Sequence, residues 1–251
     1  MNTILVSTES QIRILTLDRP DKRNALNDEL IADLKAALSD ADADESVKCI
    51  VIRGAGKDFC SGADLSALQK IAGASYEENL KDARSLGELF ELIRRVRVPV
   101  IAAVHGRALA GGCGLATACD IVIATNTARF GYPEVKIGFV PAMVAAILRR
   151  NLGEKKSFEL LTQGFEYSAE DALSLGLINA IFDEDGFDDA ALEYASVYTK
   201  VSGSAVAMTK RLLYGIDGSD LSSAIEQGVK VNAEARMTED CKKGIARFLE
   251  K

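Results

Sequence analysis

The spacing of hydrophobic positions along the chain predicts strands and helices in alternation. Residues 11–17 alternate apolar and polar side chains up to a turn at 18–20, which is typical of a strand. In the segment 27–44, apolar residues recur with helical spacing along one face. The segments 47–53 and 98–104 are short, almost wholly apolar runs, as expected of buried strands.

The second half of the chain changes from this alternation to helices alone. An amphipathic helix at 76–97 is predicted to end before Pro99, because proline interrupts a helix. A short helix at 112–119, a strand at 120–125 and a second short strand before Glu134 follow. Residues 139–164 predict two helices separated by a glycine, and Ser168 begins another helix as its N-cap. From about residue 187 the pattern is helical, with breaks near 202–204 and 215–219.

This order of elements predicts an α/β core followed by a helical C-terminal region. The N-terminus has no signal-like segment, and no apolar run reaches the roughly 20 residues of a membrane span, so we expect a cytoplasmic protein without membrane contact. A net charge of −7 argues against nucleic-acid binding. The five cysteines lack paired spacing and are expected to be buried thiols. His105, the one histidine, is expected to be structural, which leaves no basis for a histidine metal site.

Four small residues, Ala110, Gly111, Gly112 and Gly114, follow the predicted strand at 98–104. Glycine is costly within regular structure, so such a cluster usually lies where another group approaches the backbone closely. A dinucleotide-binding turn is one interpretation, but only a few residues precede the next strand, whereas a parallel crossover needs about a dozen or more. A P-loop is excluded because no Gly-Lys-Ser/Thr follows. Close packing of a short helix, with no ligand, is a second interpretation.

An oxyanion hole is the third interpretation, and a second turn of the same kind favours it. Backbone N–H groups at the start of a helix stabilise a negatively charged oxygen, helped by the helix dipole. The stretch FCSGADL also connects a strand to a helix, and it places Gly62 and Ala63 at the junction. A third segment, RFGYPEVKIGFVP, contributes Glu134 directly after a proline as a candidate acid or base.

Four stretches, in this order and spacing, resemble the crotonase family, also known as the enoyl-CoA hydratase/isomerase superfamily: NAL at 24–26, SGADL at 61–65, AGGCGLATACD at 110–120 and FGYPE at 130–134. The resemblance continues through SAEDALSLGLIN and TEDCKKGIARFLEK, and so covers essentially the whole chain. It implies a crotonase-like spiral of ββα repeats at 1–190, which binds acyl-CoA and holds the catalytic site. It further implies a helical trimerisation region at 191–251, and a homotrimer or a hexamer built as a dimer of trimers.

The same resemblance implies roles for individual residues. The backbone N–H groups of Ala63 and Gly111 would bind the thioester oxygen of an acyl-CoA, and Glu134 would act as acid and base. Gly112 would leave room for the thioester. Coenzyme A would be part of the substrate, with no separate cofactor and no metal. The other implied substrate-binding residues are Lys22, Arg23 and Ala25 at the adenine and ribose, the backbone of Ser61, Gly62, Asp64 and Leu65 near the adenine and pantetheine, Gly114 and Pro133, and Phe248 and Lys251 from a neighbouring subunit.

Gly114 departs from the family pattern, because many hydratases of this family carry a second glutamate at that position. With one acid left, Glu134 must perform both proton transfers. We expect an enoyl-CoA hydratase-type lyase acting on a short or branched 2-enoyl-CoA, including one similar to methylglutaconyl-CoA. A delta3-delta2 enoyl-CoA isomerase is the alternative. Outside alternatives are a dinucleotide-dependent dehydrogenase and a non-catalytic acyl-CoA- or RNA-binding protein of this fold; the acidic charge and Glu134 argue against the latter.

Overall fold

A computed structural model describes residues 3–250 of the chain, without the side chains of residues 65, 66 and 68. In this described part, the strands are β1 (Ile4–Glu9), β2 (Ile12–Leu17), β3 (Cys49–Gly54), β4 (Val100–Val104), β5 (Arg107–Leu109), β6 (Ile121–Thr125), β7 (Arg129–Gly131), β8 (Glu166–Ser168) and β9 (Ala180–Phe182). The α-helices are α1 (Asp28–Ala43), α2 (Leu65–Gly73), α3 (Tyr76–Arg95), α4 (Gly111–Ala118), α5 (Ala142–Gln163), α6 (Ala169–Leu175), α7 (Phe187–Ser196), α8 (Gly203–Gly215), α9 (Leu221–Met237) and α10 (Glu239–Leu249).

The strands form two sheets that the chain visits in turn. The larger sheet has the order β1-β2-β3-β4-β6-β9; β1 and β2 are antiparallel, and the other neighbours are parallel. The smaller sheet has the order β5-β7-β8, with β5 parallel and β8 antiparallel to β7. Thus β4, β5 and α4 form one strand–strand–helix unit, and β6, β7 and α5 form the next. The predicted spiral of ββα repeats is confirmed.

Helices cover both faces of the larger sheet, which explains why its strands are continuous apolar runs. Along β3, Ile50 and Ile52 point into the main core with α1 and α3, whereas Cys49 and Val51 point to the opposite face. On that opposite face, α7 packs with three buried residues spaced four apart, Phe187, Ala191 and Ala195. Helix α7 spans the predicted boundary at residue 190; the division into two regions stays a prediction.

Most predicted elements are present, and the differences are short. Gly153, at φ 74° and ψ 174°, interrupts α5 where the sequence predicts a break between helices. The three-residue strands β5 and β8 were not predicted, because so few residues show no periodicity. Within residues 3–250, no helix combines the length and apolar content needed to cross a membrane.

The cysteines and His105 have the structural roles expected of them. Cys49, Cys60, Cys113 and Cys119 are buried free thiols, and Cys241 is half-buried. His105 lies just after β4, where a ring nitrogen is 3.0 Å from the Gly56 carbonyl oxygen. Among the described residues, no group of three or more histidine, cysteine or acidic side chains is arranged to hold a metal ion.

A buried ion pair joins the helical C-terminal region to the core. The Lys210 ammonium of α8 lies 2.7 Å from a carboxylate oxygen of Asp120. It also donates to the backbone carbonyls of Ile93 and Val98. Asp120 accepts two further hydrogen bonds, from the Val100 N–H and the Tyr214 hydroxyl. Asp120 is therefore a structural residue that fixes α8 against the end of β4.

We expect Lys210→Met to lower the free energy of unfolding by about 3–5 kcal/mol, because it leaves a buried carboxylate without its counter-ion. Urea denaturation measures this loss. Lys230→Met is the matched control, since Lys230 makes an exposed pair with Glu226 at 4.0 Å and such pairs contribute about 1 kcal/mol or less. Equal losses in the two variants would show that the buried pair does not anchor α8.

Candidate functional site

The two small-residue turns predicted from the sequence lie in direct contact. A β-carbon on Gly62 would lie 2.7 Å from the Ala110 β-carbon and 3.5 Å from the Gly111 nitrogen. Gly62 also has φ +96°, a conformation that residues with a side chain rarely adopt. The turn before α2 and the turn before α4 can approach each other this closely only because position 62 is glycine.

The N–H groups of Ala63 and Gly111, one from each turn, are free to donate to a ligand. The Leu26 N–H donates to the Gly62 carbonyl and the Asp64 N–H donates to the Leu26 carbonyl, so Ala63 turns its own N–H away from residue 26. Gly111 is the first residue of α4, where a backbone N–H has no partner within the helix. Within residues 3–250, neither N–H donates a hydrogen bond.

Ala110, which precedes the Gly111 donor, holds a strained backbone conformation. Its φ of 49° and ψ of −128° are unusual for any residue other than glycine and cost about 1–3 kcal/mol. The Ala110 N–H is held by the Gly131 carbonyl at 2.8 Å, and the Ala110 carbonyl accepts from the Gly114 N–H at 2.9 Å. These contacts maintain the strain and fix the direction of the Gly111 N–H.

Glu134 is positioned by the residues on either side of it. Tyr132 is fully buried at the end of β7, and its hydroxyl lies 2.7 Å from the Thr117 hydroxyl of α4. Pro133 then begins a short 3₁₀ helix, Pro133–Ile137, in which Glu134 occupies the first turn. Gly138 ends that helix at φ 75°, and its N–H donates back to the Glu134 and Val135 carbonyls. The Glu134 backbone is therefore held at both ends.

The Glu134 carboxylate is partly desolvated, and one of its oxygens has no partner. Its Oε2 atom is buried without a hydrogen-bond partner. Burial raises the pKa of this carboxyl above its ordinary value. Among the described residues, no basic side chain forms an ion pair with it. A raised pKa makes a carboxylate a stronger base, which suits it to accept a proton and pass it on.

One cavity of about 770 Å³ brings the donors and this carboxylate together. Ala63, Gly111 and Glu134 all line it, together with Ser61 and Pro133. The rest of its wall comes mainly from one face of α3 and from residues 137–144, and it is largely apolar. The volume falls in the range of small-molecule sites, which are apolar clefts with a few converging polar groups.

The glycines of α4 face two different directions. Gly111 and Gly114 are three residues apart on one helical face, and both line the cavity. Gly112 faces the opposite side, where a β-carbon would lie 2.2 Å from the Cys60 carbonyl oxygen. The prediction that Gly112 makes room for the thioester is therefore wrong, because its missing side chain allows α4 to pack on the Cys60 backbone.

The Asp64 side chain supports the turn that contains it. Its side chain is buried and forms an ion pair with Arg19 at 2.7 Å. The residue does not line the cavity. Arg19 also donates to the Ala25 carbonyl, so this pair ties the turn at 61–65 to the loop before α1. The Asp64 side chain therefore supports the shape of the turn, and contact of the Asp64 backbone with coenzyme A stays a prediction.

The remaining predicted binding residues lie outside the cavity wall. Gly62 and Ala25 are buried, whereas Lys22 and Arg23 are exposed. None of the four lines the cavity, and their roles in substrate binding stay predictions. Phe248 is 79% exposed on α10, which packs on α8 and α9. A contact from Phe248 would need a neighbouring subunit, and it also stays a prediction. The Leu65 side chain and Lys251 lie outside the described residues.

The sequence analysis missed the apolar wall of the cavity. Five residues of α3 share its cavity-facing side, namely Asn79, Asp82, Ala83, Leu86 and Phe90. Their positions form a helical stripe, but the sequence alone does not separate it from the core-facing residues of the same helix. Leu89 and Ile93 of the same helix are completely buried in the core instead.

Comparison with known proteins agrees with the geometry. The family model for enoyl-CoA hydratase/isomerase matches residues 7–251. The chain is 39% identical over 243 residues to a Thermus thermophilus protein whose name identifies it provisionally as an enoyl-CoA hydratase, covering 97% of this chain and 96% of that one. It is 34% identical to the 2,3-dehydroadipyl-CoA hydratase of Escherichia coli, covering 100% and 97% of the two chains.

Solved structures show the same fold. An enoyl-CoA hydratase of Mycobacterium smegmatis superimposes with a TM-score of 0.93 at 35% identity, over 99% of this chain and 96% of that one. The human enoyl-CoA hydratase domain-containing protein 3 gives a TM-score of 0.92 at 27% identity, over 99% and 97% of the two chains. The chain has the crotonase fold and is an enzyme of the enoyl-CoA hydratase/isomerase family.

Proposed function

We propose that this enzyme adds water to the double bond of a short or branched 2-enoyl-CoA, or removes it in the reverse direction. The observation that carries the proposal is the buried, unpartnered Oε2 atom of Glu134, which shares a cavity with the two unpartnered N–H groups of Ala63 and Gly111. A proton-transfer group and an oxyanion site side by side are what addition to an α,β-unsaturated thioester requires.

In the proposed reaction, the N–H groups of Ala63 and Gly111 bind the thioester oxygen. The Glu134 carboxylate takes a proton from water as the water oxygen forms a bond to C3. Electrons of the C2–C3 double bond move toward the thioester, and the oxygen gains enolate charge that the two donors stabilise. The protonated Glu134 then delivers its proton to C2. One carboxyl thus performs both transfers, and coenzyme A enters only as part of the substrate.

Isomerisation of a 3-enoyl-CoA to a 2-enoyl-CoA is the second candidate. It needs one carboxyl that moves a proton from C2 to C4, and Glu134 is the lining carboxyl with a buried, unpartnered oxygen. Asp28 also lines the cavity, but it forms an ion pair with Lys70 at 2.7 Å. Asp82, another acidic lining residue, lies two helical turns before Phe90 on α3, about 12 Å along the axis, while Phe90 adjoins Gly114. The absence of a carboxylate at position 114 is the observation that favours this candidate.

Product analysis separates these functions. We would incubate the enzyme separately with crotonyl-CoA, 3-methylglutaconyl-CoA and 3-hexenoyl-CoA and identify the products by mass spectrometry and chromatography. A gain of one water by either 2-enoyl substrate supports hydration. Double-bond migration in 3-hexenoyl-CoA, with both 2-enoyl substrates unchanged, would establish the isomerase instead. Binding without any turnover would favour the non-catalytic alternative.

The oligomeric state and the cellular location expected from the sequence are part of the same proposal. Large apolar residues on α8, α9 and α10 are exposed in the single chain, among them Leu213, Leu221, Ile225, Val229 and Phe248. Exposed apolar surface of this kind usually marks an interface, which supports the proposed homotrimer or hexamer. The cytoplasmic location and the contact of Lys22, Arg23 and Ala25 with the nucleotide end of coenzyme A remain proposals as well.

A further inference from the structure

An aromatic ring occupies the space beside Gly114. Phe90 of α3 is 4% exposed, and two of its ring atoms, Cζ and Cε2, lie 3.0 and 3.3 Å from the point where a β-carbon on Gly114 would be. The Val144 β-carbon lies 3.7 Å from the same point. A side chain at position 114 could therefore be accommodated only if the ring moved.

Phe90 and Gly114 lie close to the residues that would bind the thioester. Gly114 is one turn along α4 from the Gly111 donor, so its α-carbon is about 5 Å from the residue that binds the thioester oxygen. In a 2-enoyl thioester, C3 is two bonds from the thioester carbon. With the oxygen at Gly111 and Ala63, C3 and any substituent on it face the cavity wall that Phe90 and Gly114 form.

We propose that Phe90 determines specificity at C3 of the acyl group, by limiting the size of the substituent that this wall accepts. The inference rests on the proposed function for the orientation of the thioester. The ring favours a single hydrogen on C3, as in crotonyl-CoA, over a methyl branch. Gly114 has no side chain, and this leaves space for the Phe90 ring. The ring therefore lies where a side chain at position 114 would otherwise meet the substrate.

The test is the selectivity of Phe90→Leu and Phe90→Ala. We expect the ratio of kcat/KM for 3-methylcrotonyl-CoA over crotonyl-CoA to rise about tenfold or more, since one methyl group in an apolar pocket changes discrimination by that order. The ratio of dissociation constants for 3-methylbutanoyl-CoA and butanoyl-CoA, measured by calorimetry, should shift toward the branched ligand too. These saturated thioesters bind without reacting, so this second ratio tests Phe90 even if hydration is absent.

Leu89→Ala is the matched control, because Leu89 is the neighbouring residue of α3, is fully buried and does not line the cavity. It should lower the melting temperature and leave both ratios unchanged. If hydration occurs but neither ratio moves in the Phe90 variants, the specificity role is wrong and the proposed function stands. If Leu89→Ala shifts the ratios as far, general loosening of α3 is the cause and Phe90 has no specific role. If no thioester reacts but the binding ratio shifts, hydration fails and the role of Phe90 stands.

Discussion

Glu134→Gln is expected to lower kcat for hydration by about 100-fold or more, because a positioned acid–base group contributes on the order of 10²–10⁴ to rate. The amide keeps the size and most contacts of the side chain but can neither accept the proton of water nor deliver one to C2. Binding of butanoyl-CoA should be little changed, since no step of binding uses the proton. Steady-state kinetics and calorimetry on the same preparation measure the two effects separately.

The Glu134→Gln substitution should lower activity without lowering the stability of the fold. The pKa of the Glu134 carboxyl is higher in the folded protein than in the unfolded chain, so folding favours its protonated form. Its contribution to stability is thus greatest below the unfolded pKa and is lost as pH rises through the folded pKa. At neutral pH, Glu134→Gln should melt at the same or a higher temperature than the wild type. Any such difference in melting temperature should disappear at acidic pH. Glu91→Gln, at an exposed position inside α3, is the control for the loss of one charge. Full activity of Glu134→Gln would remove this residue from the mechanism.

Gly111→Pro is expected to lower kcat by about 10²–10³, the usual effect of losing one oxyanion donor. Proline lacks the N–H group but is well accepted at the first position of a helix, which Gly111 occupies in α4. Because proline restricts the preceding residue, the change should be made together with Ala110→Gly, since glycine adopts φ 49° without steric cost. Kinetics on crotonyl-CoA measure the loss relative to Ala110→Gly alone.

Gly111→Ala in the same background separates the donor from the space around it. The added methyl group keeps the N–H and meets the Leu26 Cδ1 atom at 3.1 Å, which is the end of a flexible side chain. We expect a much smaller loss of kcat than for the proline variant, accompanied by a rise in KM from the narrowed cavity. Equal losses in the two variants would mean that steric effects, and not the N–H group, explain the role of position 111.

The sequence predicted the turns before α2 and α4 better than it predicted the apolar wall of the cavity. Small residues after buried strands identified the two turns, and the resemblance to the family assigned roles to Ala63, Gly111 and Glu134. The direction that Gly112 faces could not be predicted, because it depends on the Cys60 backbone more than 50 positions earlier in the chain. The partner of Asp64 is likewise distant, since Arg19 lies 45 positions away.

Helix α3 shows why the sequence analysis missed the apolar wall of the cavity. Leu86, Leu89, Phe90 and Ile93 all belong to one apolar side of the helix, and sequence periodicity treats them alike. Only the packing of α4 and residues 137–144 against α3 separates the cavity-lining Leu86 and Phe90 from the core residues Leu89 and Ile93. A departure at Gly114 was visible in the sequence, but the ring that accounts for it was not.

Hydration by one carboxyl is tested most directly by following crotonyl-CoA in D₂O by NMR. The wild-type enzyme should produce a 3-hydroxy thioester with one deuteron at C2, because the proton that Glu134 takes from solvent water is delivered to that carbon. Glu134→Gln should form this product at least about 100 times more slowly. Deuterium incorporation at C4 without a hydroxyl at C3, or no reaction although the thioester binds, would contradict the account.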